Sequence, residues 1–249
     1  MVMNNSFNAT PNMTLPEHEL GELDRLGGHY TLTGVLKLVL QHGVDNRETD
    51  ASKAEEYMNR MLGFGAERAG QVQAAIDQVE DTSDAIREVM LHGLHVNRQF
   101  GHHGEAYLRM YGVLNAAYII TRASKTLLNS FLSHKEKELY DRMRSEPLYE
   151  LRNRIGAHPM DFGSNKDVYH RLIQMDMFRD DGKRSFVSSD KGYQEVDIIN
   201  DIRNFELTSL SVLLELTECA ARRVIKRKSD HYAWLNERLE FVIGKVGTS

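Results

Sequence analysis

One cysteine and four prolines are the scarcest features of this 249-residue chain. A single thiol, Cys219, excludes an intrachain disulfide, and such sparing use of cysteine is typical of proteins in a reducing compartment. So few prolines favour long uninterrupted helices, because proline lacks a backbone donor and breaks a helix interior. No stretch approaches the roughly 18 uninterrupted apolar residues of a membrane span, so we expect no membrane contact.

Charge and composition restrict the class of protein further. The formal net charge is −5, the pI is about 6.1, and 41% of residues are hydrophobic, as in an ordinary globular protein. A general nucleic-acid coat protein would be basic overall, so any nucleic-acid contact should be local and small. The first 20 residues combine neither a basic start nor an apolar run, so we expect no secretory signal and a cytoplasmic location.

The spacing of apolar residues predicts an all-α fold. Val72, Ile76 and Val79, for example, recur at helical intervals. Gly43 and Gly63 are expected to end the first two helices. The predicted helices span 31–42, 50–62, 66–100, 104–132, 133–144, 147–157, 195–228 and 234–244.

The order of these helices predicts a bundle of long antiparallel helices with one insertion. Ser133 and Glu136 have the spacing of a capping box and are expected to start the fifth helix. Residues 165–193 contain the turn signals Asp181-Gly182 and Lys191-Gly192, which predict a short loop or β-hairpin before the last long helix. We expect a disordered tail at 1–15, an N-terminal helical region at 16–100 and a bundle at 101–249. One continuous domain over 16–249 is the alternative.

The stretch LRNRIGAHPMDF, residues 151–162, carries the most chemistry. Leu151 and Ile155 continue a core-facing stripe, whereas Arg152 and Asn153 lie off it. Proline at 159 disfavours helical geometry at the residue before it. His158 is therefore expected at or just beyond the helix C-terminus, where its ring can fold back towards Asn153 or Arg152.

These residue types suit cleavage of a phosphodiester without a metal. Histidine takes and gives protons near neutral pH, and arginine offers a planar fork of donors to phosphate oxygens. Asparagine can orient a ring nitrogen or a hydroxyl. Together they can promote attack of an RNA 2′-hydroxyl on the neighbouring phosphate while arginine stabilises the developing charge. No metal and no other cofactor is needed.

The segment Arg152-Asn153-Arg154-Ile155-Gly156-Ala157-His158 resembles the signature of the HEPN superfamily. That signature is an arginine, a polar residue directly after it, and a histidine beyond a spacer of four to six residues. The resemblance implies an all-α fold with the motif near the end of a helix. It also implies a metal-independent endoribonuclease, often a toxin or phage-defence effector, that works as a homodimer with two facing motifs.

Carried over position by position, the resemblance makes Arg152 the phosphate-contacting arginine, Asn153 the orienting residue and His158 the acid/base. Arg154 has no fixed family role and is a candidate RNA-backbone contact. RNA is then the expected substrate, and an antitoxin or regulatory protein is a further candidate partner. The resemblance does not cover the first 100 residues.

Two other hypotheses of function stay open. Some members of the family are binding modules, so a non-catalytic helical interaction module is the main alternative. A metal-dependent enzyme is the third reading. Its candidate ligands are His92, His95, His102, His103 and Glu105, but solvated turn histidines are the more ordinary interpretation, and no metal site is predicted.

A basic cluster closes the last long helix and includes Arg222 and Arg223. Cations at a helix C-terminus ordinarily offset the helix dipole. An RNA-backbone track is the alternative interpretation. Three tyrosines of the 104–132 helix, Tyr107, Tyr111 and Tyr118, are expected to face the core or a partner helix.

Overall fold

A computed structural model describes residues 17–42, 62–64, 68–94, 103–157, 170–172, 184–189, 192–225 and 230–247. These residues form seven α-helices and a small antiparallel sheet, so the predicted all-α fold with a hairpin before the last long helix is confirmed. None of the described helices combines the length and apolar character that a membrane crossing requires.

Three long helices make up the first half of the described chain. They are α1 (Glu17–His42), α2 (Arg68–His92) and α3 (His103–Phe131). Helix α1 begins upstream of its predicted start at 31 and is interrupted at Gly27, whose φ of 76° is left-handed. The prediction for α3, 104–132, is confirmed to within one residue at each end.

Helix α2 is shorter than predicted. It was expected to run to 100 but ends at His92, because Gly93 takes a φ of 68° and its N–H bonds back to the carbonyl of Val89 at 2.8 Å. Glycine adopts this left-handed turn without the steric cost of a Cβ atom, which makes it a strong helix stop. The predicted 50–62 helix lies outside the described residues except for Leu62. Gly63, its predicted stop, has a φ of 69°.

The chain then turns sharply through short helices. Residues Ser133–Lys135 form a 3₁₀ turn that leads into α4 (Glu136–Arg144). The predicted capping box is wrong, because neither helix start receives a side-chain cap and Ser133 lies inside the 3₁₀ turn. Pro147 starts α5 (Pro147–Leu151), as predicted, since proline is tolerated in a first turn.

The sheet follows the predicted site region. It consists of β1 (His170–Leu172), β2 (Arg184–Ser189) and β3 (Gly192–Asp197), paired antiparallel in that order. The hairpin β2–β3 overlaps the predicted insertion at 165–193, and its last residue, Asp197, lies four residues beyond the predicted end. Leu172, Val187 and Val196 are buried and attach the sheet to the helices. The Asp181-Gly182 turn signal lies outside the described residues.

Two helices complete the chain, α6 (Ile198–Val224) and α7 (Asp230–Gly247). Asp197 caps α6 through a bond from the backbone N–H of Asn200 at 3.0 Å. Helix α6 is the central element, since it contacts each of the other described helices. One hydrophobic core extends from Leu32 to Val242 and has Phe131 and Phe205 among its largest fully buried side chains.

Candidate functional site

The first six residues of the predicted motif form a single π-helical turn, Arg152–Ala157, that directly follows α5. Leu148, Leu151 and Ile155 are buried, which confirms the predicted core-facing stripe. An α-helical ladder cannot continue past 158, because Pro159 offers no N–H to the carbonyl of Ile155. The turn packs against α5, α3 and β1, and the core side chains hold it in place.

Arg152 and Asn153 are brought together by this turn. An Arg152 Nη1 donates to Asn153 Oδ1 at 3.2 Å. The guanidinium also lies over the ring of Tyr118 on α3, 3.9 Å from the ring centroid. Such stacking orients a guanidinium while leaving most of its N–H groups available for an anion. In the part of the chain that the structure describes, Arg152 has no carboxylate within ion-pair distance.

His158 lies outside the described residues. The described helical turn reaches Ala157, the residue immediately before it. The relation between Arg152 and the His158 ring therefore stays a prediction.

Arg154 points away from Arg152 and towards the sheet. Its Nη2 donates to the amide oxygen of Gln194 on β3 at 2.9 Å. This bond joins the π-turn to the hairpin. Because the bond is to a neutral amide, the positive charge of Arg154 is not offset by its partner.

The structure does not bring the basic end of α6 to the motif. Arg222 and Arg223 lie in the last turn of α6, whereas the hairpin contacted by Arg154 leads into its first turn. At 1.5 Å per residue those two ends are roughly 36 Å apart. Arg222 is also bonded by two nitrogens to Oε1 of Glu218, one turn back, with Nε at 3.0 Å. Arg222 thus behaves as an ordinary intrahelical ion pair.

Arg152 belongs to a cluster of tyrosines and cations that was not predicted. We call it the tyrosine–cation cluster; its members are Tyr118, Arg122, Lys125, Tyr140, Arg144, Tyr149 and Arg152. Tyr118 stacks on Tyr149, with ring centroids 6.1 Å apart and planes 28° from parallel. Tyr118 therefore faces a partner helix, as predicted, and its ring also carries the Arg152 cation, which was not predicted.

Tyr140 holds three further cations of the cluster. Lys125 lies 4.7 Å from the centroid of its ring and Arg144 lies 5.5 Å away. Arg122 donates to the Tyr140 hydroxyl at 3.5 Å, and this bond raises the pKa of the Arg122 guanidinium above its usual range. Burial raises the pKa of the Tyr149 hydroxyl, so this phenol stays neutral at physiological pH.

A sequence signal for this cluster exists. Tyr118 and Arg122 are four residues apart, as are Tyr140 and Arg144, and Tyr149 precedes Arg152 by three. Tyrosine followed by arginine at i+3 or i+4 places the cation beside the ring on one helix face. In the structure Arg144 lies beside Tyr140 as this spacing predicts, whereas Arg152 lies over Tyr118 on α3. Only the tertiary contacts therefore reveal how α3, α4 and α5 bring these side chains together.

Three carboxylates, Glu146, Asp197 and Asp201, lie where α5 and α6 begin. Burial, and then the negative charges of Asp197 and Glu146, raise the pKa of Asp201 to about 6. Glu146 accepts a bond from the Thr208 hydroxyl at 2.6 Å, which fixes the start of α5 to α6.

The histidine-rich region predicted as an alternative metal site is only partly described. His92 lies 3.6 Å from Glu88 on the same helix face, and Glu105 accepts from Arg109 at 3.0 Å. His95 and His102 lie outside the described residues. Over the described ranges, no three histidine, cysteine or carboxylate side chains converge as metal ligands would.

No family model matches the chain, and searches of curated proteins and of solved structures found no match either.

Proposed function

We propose that this protein is a metal-independent endoribonuclease of HEPN type that cleaves RNA through its own 2′-hydroxyl. The observation that carries the proposal is the placement of Arg152. Its guanidinium is seated on Tyr118, is bonded to Asn153 and has no carboxylate partner in the described part of the chain. An arginine oriented in this way is ready to receive a phosphate.

The proposed reaction divides between three side chains. His158 removes the proton from the 2′-hydroxyl, the 2′-oxygen bonds to phosphorus, and the bond to the 5′-oxygen breaks. The leaving 5′-oxygen takes up a proton, so the products are a 2′,3′-cyclic phosphate and a 5′-hydroxyl. Arg152 stabilises the charge that develops on the phosphate oxygens, and Asn153 holds Arg152 in register.

A homodimer belongs to the proposal, because each chain carries one copy of the motif and facing copies would supply two histidines, one for each proton transfer. The cleavage rate per chain should therefore rise with protein concentration across the range in which sedimentation detects dimerisation. A rate per chain that is independent of concentration while monomers predominate would argue for a one-chain site.

The test is RNA cleavage in EDTA, with tRNA and total RNA both offered. Wild type should cleave and leave 2′,3′-cyclic phosphate ends, whereas His158→Ala and Arg152→Ala should not. His134→Ala is the matched control, because His134 is an exposed histidine on the 3₁₀ turn. Cleavage by His158→Ala at the wild-type rate would overturn the site assignment.

The second candidate function is a non-catalytic helical interaction module. It is favoured by exposed apolar side chains on α3, where Leu108 is 74% and Tyr111 42% exposed. If the exposed face of α3 at Leu108 and Tyr111 is the binding surface, Leu108→Ser should abolish self-association or partner binding. Unchanged association, together with cleavage by wild type, would favour the ribonuclease.

A further inference from the structure

We infer that the tyrosine–cation cluster is a single-stranded RNA backbone site, in which Arg122 binds a phosphate neighbouring the one held by Arg152. The inference rests on the proposed function for its choice of ligand. It adds a second phosphate contact on a different helix, which neither the motif nor its resemblance identifies.

Charge is the first support. Four cations of the cluster face two carboxylates, since Lys125 lies 3.6 Å from Glu136 and Arg144 lies 3.7 Å from Asp141. Arg122 and Arg152 have no carboxylate partner among the described residues. An excess of positive charge in a chain of net charge −5 is a local feature, as a small nucleic-acid contact requires.

Geometry is the second support. Arg122 and Arg152 both border Tyr118, one from the next turn of α3 and the other from the π-turn. Arg122 is exposed, and its bond to the Tyr140 hydroxyl leaves most of its donors free to reach solvent. Guanidinium groups held against aromatic rings lose little further side-chain entropy when they bind a phosphate.

Arrangement along the surface is the third support. Lys125 and Arg144 flank Tyr140 at 4.7 and 5.5 Å, so two further cations lie beside the ring whose hydroxyl accepts from Arg122. Their ion pairs are partly exposed and of low energy, and a phosphate can therefore displace the carboxylates at small cost. A strand whose scissile phosphate is at Arg152 and whose neighbouring phosphate is at Arg122 would have these two cations within the same cluster to contact its backbone.

Binding is measured without cleavage. The probe is a fluorescein-labelled single-stranded RNA with 2′-O-methyl riboses throughout, which lacks the attacking hydroxyl. Anisotropy titrations of the full chain at several salt concentrations give the affinity and its salt slope. Arg122→Gln should weaken binding by about tenfold and lower the salt slope by about one.

Arg222→Gln is the matched control, because Arg222 is also an exposed helical arginine but is paired with Glu218 far from the motif. It should change neither affinity nor salt slope. Arg122→Lys should restore the slope, since it keeps the charge, and so separates loss of a phosphate contact from a packing defect.

The outcomes separate this inference from the proposed function. If Arg122→Gln binds the probe like wild type, or Arg222→Gln loses as much affinity, the inference is wrong whether or not His158→Ala abolishes cleavage. If wild type does not cleave RNA but Arg122→Gln still weakens binding, the proposed function fails and the RNA site stands. No binding by wild type at low salt overturns the inference outright.

Discussion

The guanidinium of Arg152 lies 3.9 Å from the ring centroid of Tyr118, and this contact joins the π-turn to helix α3. The ring covers one face of the guanidinium, and Asn153 Oδ1 accepts a hydrogen bond from Arg152 Nη1 at 3.2 Å. An arginine held in both ways keeps its fork of donors in one orientation. We therefore treat Tyr118 as a positioning residue that acts through Arg152.

The first prediction tests this support. Replacing Tyr118 with leucine should lower kcat/KM for RNA cleavage by about five- to thirtyfold, because a cation–π contact stabilises its cation by about 1–2 kcal/mol. The loss should fall mainly on kcat if the orientation of Arg152 matters most in the transition state.

Tyr118→Phe is the control, since it keeps the ring and removes only the hydroxyl. Its cleavage rate should stay within about twofold of wild type. Equal cleavage by the leucine and phenylalanine variants would show that the ring does not position Arg152.

The fold could be predicted from the sequence where a single pattern dominates. Apolar spacing placed α3 correctly at both ends, and Pro147 marked the start of α5. The errors concern helix ends, which depend on the local backbone conformation of one or two residues. Gly93 ends α2 early, and Ser133 enters a 3₁₀ turn, where the capping-box spacing has no helix start to cap.

The site could be predicted only in part. The residues 152–158 were found because they are adjacent in the chain. Tyr118 and Tyr140 were missed because their importance comes from packing between helices that are distant in sequence. The hydrophobic pattern identifies which side of α3 is buried. It does not show that the half-buried ring of Tyr118, at the border of that side, is covered by the guanidinium of Arg152.

The second prediction concerns a buried histidine. His29 on α1 is bonded to the Ser209 hydroxyl on α6 at 2.7 Å. Burial, and then the charge of Arg87, lower the pKa of His29 to about 4. The unfolded state therefore binds more protons between about pH 6.5 and pH 4, so stability should be lost as the pH falls through that window.

Urea denaturation at pH 7 and pH 4.5 measures this effect. The titration of His29 alone should make the free energy of unfolding about 2 kcal/mol lower at pH 4.5 than at pH 7. Other groups titrate in the same range, so the comparison is with His29→Gln, which retains a donor for Ser209 but does not titrate. A pH dependence as steep in His29→Gln as in wild type would contradict the prediction.

The third prediction concerns Asp201, whose titration should make the protein more stable as the pH falls, the opposite of the effect of His29. The raised pKa of Asp201, about 6, means that the folded state binds its proton more tightly than the unfolded state. Its charge therefore lowers stability above pH 6, and this penalty disappears as the pH falls below the ordinary carboxyl value. Asp201→Asn should raise the free energy of unfolding at pH 8 by on the order of 1 kcal/mol, after allowance for solvent screening of this half-exposed group.

The gain from Asp201→Asn should vanish near pH 3.5. Asp81→Asn, at an exposed position on α2, is the control and should shift stability by less than about 0.5 kcal/mol. A loss of stability in Asp201→Asn at pH 8 would mean that its carboxylate makes a net favourable contact with the first turn of α6.

The last prediction concerns two glycines of α1 with different surroundings. A Cβ atom at Gly28 would lie 2.7 Å from Cδ2 of Leu210, whereas one at Gly34 would meet nothing within 4 Å. Alanine is the better helix former, so Gly34→Ala should raise stability by about 0.5–1 kcal/mol. Gly28 lies directly after the interruption at Gly27, where an alanine gains less, and Gly28→Ala must displace a buried leucine, so its net effect should be a loss of about 1 kcal/mol.

Thermal unfolding decides between the two effects, since about 1 kcal/mol moves the Tm of a chain of this length by about 2–4 °C. A double-mutant cycle makes the test specific, because Leu210→Ala removes the atoms that the new methyl group would meet. In that background Gly28→Ala should no longer destabilise. If Gly28→Ala costs as much with Leu210→Ala as without it, close packing of α1 on α6 is not what requires glycine at position 28.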